Sequence, residues 1–76
     1  MDEIMKINEE KIYSAYKSKI KLHLTLRDKT FRNGFVEEIK ADYFLFKDDI
    51  NGSEAIFFLE LWNIEPAKEA KRWKLK

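Results

Sequence analysis

From Ile20 to Arg27 the chain alternates strictly, with Ile20, Leu22, Leu24 and Leu26 on one face and Lys21, His23, Thr25 and Arg27 on the other. A period of two is the pattern of a strand with one buried face, since successive side chains of a strand point to opposite sides. Asp28-Lys29 then supplies a short turn, and Thr30 to Ile39 reads as the return strand, with apolar residues at Phe31, Phe35, Val36 and Ile39. Those four do not share one parity. The change of face is expected at Asn33-Gly34, where a glycine or bulge lets a strand bend sharply and serve two sides of a barrel.

Downstream, Tyr43 to Phe46 and Ile56 to Leu61 are apolar at successive positions, and such short runs favour strands covered on both faces. The polar segment Asp48 to Glu54 between them has Asn-Gly near its centre, a strong hairpin signal. Trp62 to Pro66 gives a short last strand, stopped by the only proline. Ahead of the strands, residues 2–19 carry a helical pattern: Asn8 with Glu9 and Glu10 reads as a cap, and Ile12 and Tyr16 lie one turn apart on a narrow apolar stripe. So thin a stripe requires support from a barrel mouth or sheet face.

The 76 residues allow one domain, comprising a helix over 2–19, a small barrel over 20–66 and a basic C-terminal tail over 67–76. A domain of this size buries only about 60% of its unfolded surface, so its core is marginal without further support. There is no cysteine to cross-link it and no Cys/His cluster for structural zinc, which leaves aromatic packing or homo-oligomerisation. Two Trp, three Tyr and six Phe suit both. A net charge of +1 argues against a surface that binds polyanions all over, so any nucleic-acid contact must be local. The cations Lys68, Lys71, Arg72, Lys74 and Lys76 against Glu69 make the tail the most basic segment. No apolar run approaches a membrane span and the first residues do not read as a signal peptide, so the expectation is a cytoplasmic protein with no membrane partner.

A helix followed by five short strands with a bent second strand makes the expected fold mainly β, an SH3-like barrel. Over about residues 8–67 the chain resembles the Sm-like family, which includes archaeal Sm proteins and the bacterial RNA chaperone host factor Q. The matching pieces are the helix before the first strand, Leu26-Arg-Asp-Lys29 at the first turn, Gly34 with Val36 and Ile39 after it, and Ile64-Glu-Pro66 at the last strand. The resemblance implies rings of barrels, closed by the fourth strand of one subunit pairing with the fifth of the next, and binding of single-stranded RNA. It breaks at the family's RNA-binding positions. Counting from Gly34, Lys40 stands where an Asp is usual and Phe44 where the base-recognising Asn is usual, and nothing near Phe58 to Leu61 corresponds to the second motif. Arg32 takes a place that is normally apolar, with Phe31 displaced by one, which implies a bulge or a register difference.

Base readout needs donors and acceptors beside a stacking plane, so these departures imply that the barrel is kept while RNA binding is either altered, running through a modified surface, or lost. The candidate residues are Arg32, Lys40 and Tyr43, together with Lys71, Arg72, Trp73 and Lys74 of the tail, where an aromatic ring among cations suits a phosphate backbone and a stacked base. The alternative for Trp73 is packing back on the barrel; the alternative for the protein is an assembly module of the same fold that binds no nucleic acid. The phenylalanines read mainly as core or subunit interface. His23 lacks a second ligand at metal spacing and reads as a solvated strand residue. Adjacent carboxylates at Glu37-Glu38 and Asp48-Asp49 point to opposite faces and read as solubility groups. With no cysteine, no serine beside a base and no phosphate-binding glycine loop, neither a catalytic site nor a cofactor is expected.

Overall fold

The computed structural model describes residues 3–67. Helix α1 (Glu3–Ser18) leads into five strands, β1 (Leu22–Leu26), β2 (Phe31–Ile39), β3 (Tyr43–Asp48), β4 (Gly52–Phe57) and β5 (Leu61–Pro66), with a 3-10 turn over Phe58–Glu60 before the last. All neighbours are antiparallel in one sheet of order β4-β3-β2-β1-β5, which leaves β4 and β5 as edges. The described fold is therefore a small, mainly β structure with a helix on it.

The core faces one side of the sheet. Leu22, Leu24 and Leu26 of β1 are buried together with Phe44 and Phe46 of β3, Ile56 of β4, Phe58, and Leu61 and Ile64 of β5. Phe44 meets Phe46 edge to face and Phe58 at a tilt, both arrangements that aromatic quadrupoles favour. Helix α1 covers this face with Ile12 and Ala15, and Met5 packs at its margin. Asn8 belongs to the same stripe, one turn before Ile12, and is buried inside the helix rather than capping it. Tyr16, expected on the stripe with Ile12, is instead 39% exposed. The helix stops where Lys19 adopts a left-handed φ of 55° and the Ile20 amide donates to the Ala15 carbonyl, the closing bond of a Schellman turn.

Two bulges set the parity of the sheet. Pairing steps from Val36↔Phe46 to Glu38↔Leu45, so Glu37 is the extra residue, and inward positions change from Val36 to Ile39. The change of face thus falls three residues after Gly34, correcting the expectation of a switch at Asn33-Gly34. In β5 the shift from Thr25↔Asn63 to Leu26↔Leu61 extrudes Trp62, which is 63% exposed with Arg27 5.7 Å over its ring. Ile56 to Leu61 is likewise not one strand: β4 ends at Phe57, and the 3-10 turn buries Phe58 but leaves Leu59 exposed.

Gly34 serves close approach. A methyl there would overlap the Lys47 carbonyl oxygen and lie 3.1 Å from the Asp48 Cα, all of it backbone. Gly52 serves conformation instead, with φ of 80° and open space where a Cβ would go. Asp48, read from sequence as a solubility group, is buried, and its carboxylate accepts the amides of Asn33 (3.1 Å), Ile50 (3.0 Å) and Asn51 (2.9 Å). Burial alone would raise its pKa, but the amides of Asn51, Ile50 and Asn33, helped by Arg32, outweigh it and hold the group below the ordinary value.

Two outcomes are expected in chemical denaturation. Gly34→Ala should destabilise by roughly 3 kcal/mol because a strand must move, whereas Gly52→Ala should cost only about 1 kcal/mol for its positive φ. Because the folded pKa of Asp48 is depressed, its contribution is present above the unfolded value near 3.9 and is lost as pH falls through the folded pKa. Asp48→Asn should therefore lose about 2 kcal/mol at pH 7 and show a weaker decline in stability below about pH 4 than the parent.

Candidate nucleic-acid interface

Of the cations expected to contact nucleic acid, the two among the described residues, Arg32 and Lys40, are already paired. Arg32 lies on β2 opposite Leu24 in a regular ladder, with no bulge between β1 and β2, so it does occupy an inward place. Its Nε donates to Glu54 Oε2 at 2.6 Å, reaching from β2 across β3 to β4, and a terminal nitrogen donates to the Phe31 carbonyl. Lys40 sits in the β2–β3 turn and is bonded to Glu38 at 2.9 Å, a hydrogen bond that raises its pKa. Tyr43 follows at the start of β3, half-buried, its ring 5.4 Å from that of Phe57. The Lys40 amide donates to the Tyr43 carbonyl, so these two are neighbours, while Arg32 is near the opposite end of β2. Lys71, Arg72, Trp73 and Lys74 fall outside the described residues. Phe44, at the position of the resembling family's base-recognising Asn, is fully buried in the core.

A different face gathers cations and rings. Where the C-terminal end of α1 passes β2, a groove of about 680 Å³ is lined by Tyr16, Lys17, Lys19, Phe35, Val36 and Glu37. The Schellman turn brings Lys19 to its wall, and the outward parity of β2 ahead of the Glu37 bulge brings Phe35, which is 43% exposed. Lys47 pairs directly with Phe35 across the β2–β3 ladder, which adds a third cation beside the groove. Lys17 rests 5.4 Å from the Tyr13 ring centre, and among the described residues Lys19 and Lys47 have no carboxylate partner. The one acid in the lining, Glu37, accepts the Ser53 hydroxyl at 2.8 Å. Sequence reasoning missed this cluster. Its only signal was Lys17 and Lys19 next to Tyr16, and the link to Phe35 depends on the bulge position.

The remaining polar groups do structural work. His23 is half-buried, hydrogen-bonded through Nδ1 to Asn33 Oδ1 at 2.8 Å and stacked on Phe31 at 5.3 Å, which corrects its reading as a solvated residue. Asp28 accepts the hydroxyl and amide of Thr30, and the hydroxyl bond is the main cause of its lowered pKa. No group of three or more His, Cys, Asp or Glu among the described residues could hold a metal ion, and no described helix is long and apolar enough to cross a membrane. No protein-family model matches the chain, and no curated protein matches it.

The Arg32–Glu54 pair lies on the core side with each side chain less than a third exposed, so removing one member strands a charge whereas removing both does not. Arg32→Met should cost about 2 kcal/mol, and adding Glu54→Leu should restore most of it, measured as a double-mutant cycle in urea.

Proposed function

We propose that this protein is an Sm-like small barrel that associates with copies of itself and binds single-stranded RNA through the groove between the end of α1 and β2. The observation that carries the reading is the groove itself: Lys17, Lys19 and Lys47 offer charge to successive phosphates, and Tyr16 and Phe35 offer faces on which bases stack. Such a surface takes bases without reading their edges, in keeping with the replacement of the family's usual residues by Lys40 and Phe44. Support for assembly comes from the sheet order, which leaves β4 and β5 as free edges of six residues each, with Phe57, Leu59 and Trp62 exposed beside them. An edge of unpaired backbone groups is a template for strand addition, and fourth-to-fifth pairing is what the resemblance implies. The same edges favour the second reading, an assembly module without nucleic acid.

Fluorescence polarisation with labelled oligo-U and oligo-A, repeated at several salt concentrations, separates the two. Binding through the three lysines should weaken with salt at a log–log slope of about −2, since each single-strand phosphate contact contributes about −0.7. Lys19→Gly is the informative variant. It removes a cation and relieves a left-handed φ at once, so it should gain stability while losing severalfold in affinity and reducing the slope by about 0.7. Unchanged binding by Lys19→Gly and Lys17→Glu moves the interface elsewhere. Failure of both oligonucleotides to bind at low salt, with a multimer seen by light scattering, leaves the assembly module.

A further inference from the structure

The two edges of the sheet leave different backbone groups open, because hydrogen-bonded and non-bonded pairs alternate along an antiparallel ladder. On β5 the Ala67 amide donates to the Lys21 carbonyl, so Glu65 and Asn63 also face β1, while Pro66 and Ile64 turn their backbone outward. Pro66 has no N–H to offer, and the bulge at Trp62 breaks the spacing on the other side of Ile64. A proline and a bulge each blunt a sheet edge. β4 has neither. There the Phe58 amide donates to the Asp42 carbonyl, so Gly52, Glu54 and Ile56 face β3, and Ser53, Ala55 and Phe57 hold their N–H and C=O groups outward in an unbroken row. All three residues are exposed and uncharged.

We infer that β4 pairs with β4 of a second copy, antiparallel about a two-fold axis at Ala55. This rests on the self-association proposed for the chain and fixes its form as a closed pair, in place of a fourth-to-fifth ring for which β5 lacks a regular edge. Centred on Ala55, the register sets Ala55 opposite Ala55 and Ser53 opposite Phe57 of the other copy, and each pair exchanges both of its N–H···O bonds. A centre at Ser53 or Phe57 leaves part of the row unmatched. No like charges face each other: Glu54 lies opposite Ile56, and its carboxylate is already held by Arg32. Continued past the strand, the register places Asn51 opposite Leu59, so the turn bearing Ile50 lies beside the 3-10 turn of the second copy. Ile50 and Leu59 are 88% and 65% exposed, the two most exposed large apolar side chains among the described residues, and the pairing brings them to one contact.

The chain has no cysteine, so single cysteines report on the pairing in the full chain. At the axis the two Cα atoms stand about 5.5 Å apart, within the span of a disulfide, whereas the two Ser53 positions are four residues of strand apart, about 13 Å. Under mild oxidation Ala55→Cys should form a covalent dimer roughly tenfold faster than Ser53→Cys, whose sulfurs cannot meet without backbone movement. Ala55→Pro is the second probe. The Ala55 amide faces away from β3, so the proline removes no ladder bond within the chain. Sedimentation should find the parent at the mass of two chains and Ala55→Pro at that of one, with the far-ultraviolet circular dichroism unchanged; if Ala55→Pro does not fold, the cysteine comparison decides by itself. Equal cross-linking of the two cysteines overturns the two-fold pairing. So does a parent assembly of more than two chains, which leaves self-association standing through other edges. A parent that stays monomeric at every concentration removes both, and leaves β4 open to an extended segment of another protein.

Discussion

The carboxylate of Asp48 fastens this fold. It is the last residue of β3, yet it gathers amides from the β3–β4 turn and from Asn33 in β2, while the Asp49 amide returns a bond to the Asn33 carbonyl. The hairpin is thereby tied sideways to its neighbour at the point where Gly34 lets the backbones close up. A buried charge is tolerated because oriented amide dipoles replace the water it gives up, and every one of those dipoles belongs to backbone that must then hold its conformation. Strands β2, β3 and β4, the last two of which carry Phe44, Phe46 and Ile56, take their relative positions from this junction.

Where a residue's environment is dictated by its immediate neighbours, the sequence was readable. The leucines of β1 alternate, and Leu22, Leu24 and Leu26 are buried as their parity demands; the turn at Arg27–Lys29, the hairpin before Gly52 and the stop at Pro66 follow from local turn chemistry. Readability failed where tertiary pairing decides. Nothing near Glu37 or Trp62 marks a bulge, because a bulge is a mismatch between two strands rather than a property of one. Asn8 resembles a cap by type but is carried inside the helix by the packing of the stripe around it. Asp48 and Asp49 are indistinguishable as letters, and only the turn sends one inward to the amides and the other outward to Lys21.

The candidate interface was harder to read for an electrostatic reason. A lysine or arginine is worth something to a phosphate only if it is not already neutralised, and that depends on partners far away in sequence: Arg32 is claimed from 22 residues off by Glu54. Aromatic residues pose the same problem in apolar form. Phe35 and Phe46 read alike, yet one is 43% exposed and the other fully buried, because their strands present opposite parities to the core. Among the described residues, cations with no carboxylate partner sit at Lys19 and Lys47, which a helix end and a strand pairing bring near Phe35.

The Arg32–Glu54 bridge has a bearing on which sheets this chain is able to form. Slide β2 by one residue against β1, and Arg32 turns to solvent while Phe31 enters the interior, leaving the Glu54 carboxylate facing apolar side chains with no counter-charge. A purely apolar interior would accept many such slips at little penalty, since one phenylalanine fills space much as another does. With the bridge in place, only even shifts return an inward-pointing residue to Arg32's row, and none of them returns a guanidinium. The pair acts as a check digit on strand alignment, rejecting misfolded pairings that greasy contacts alone would let pass.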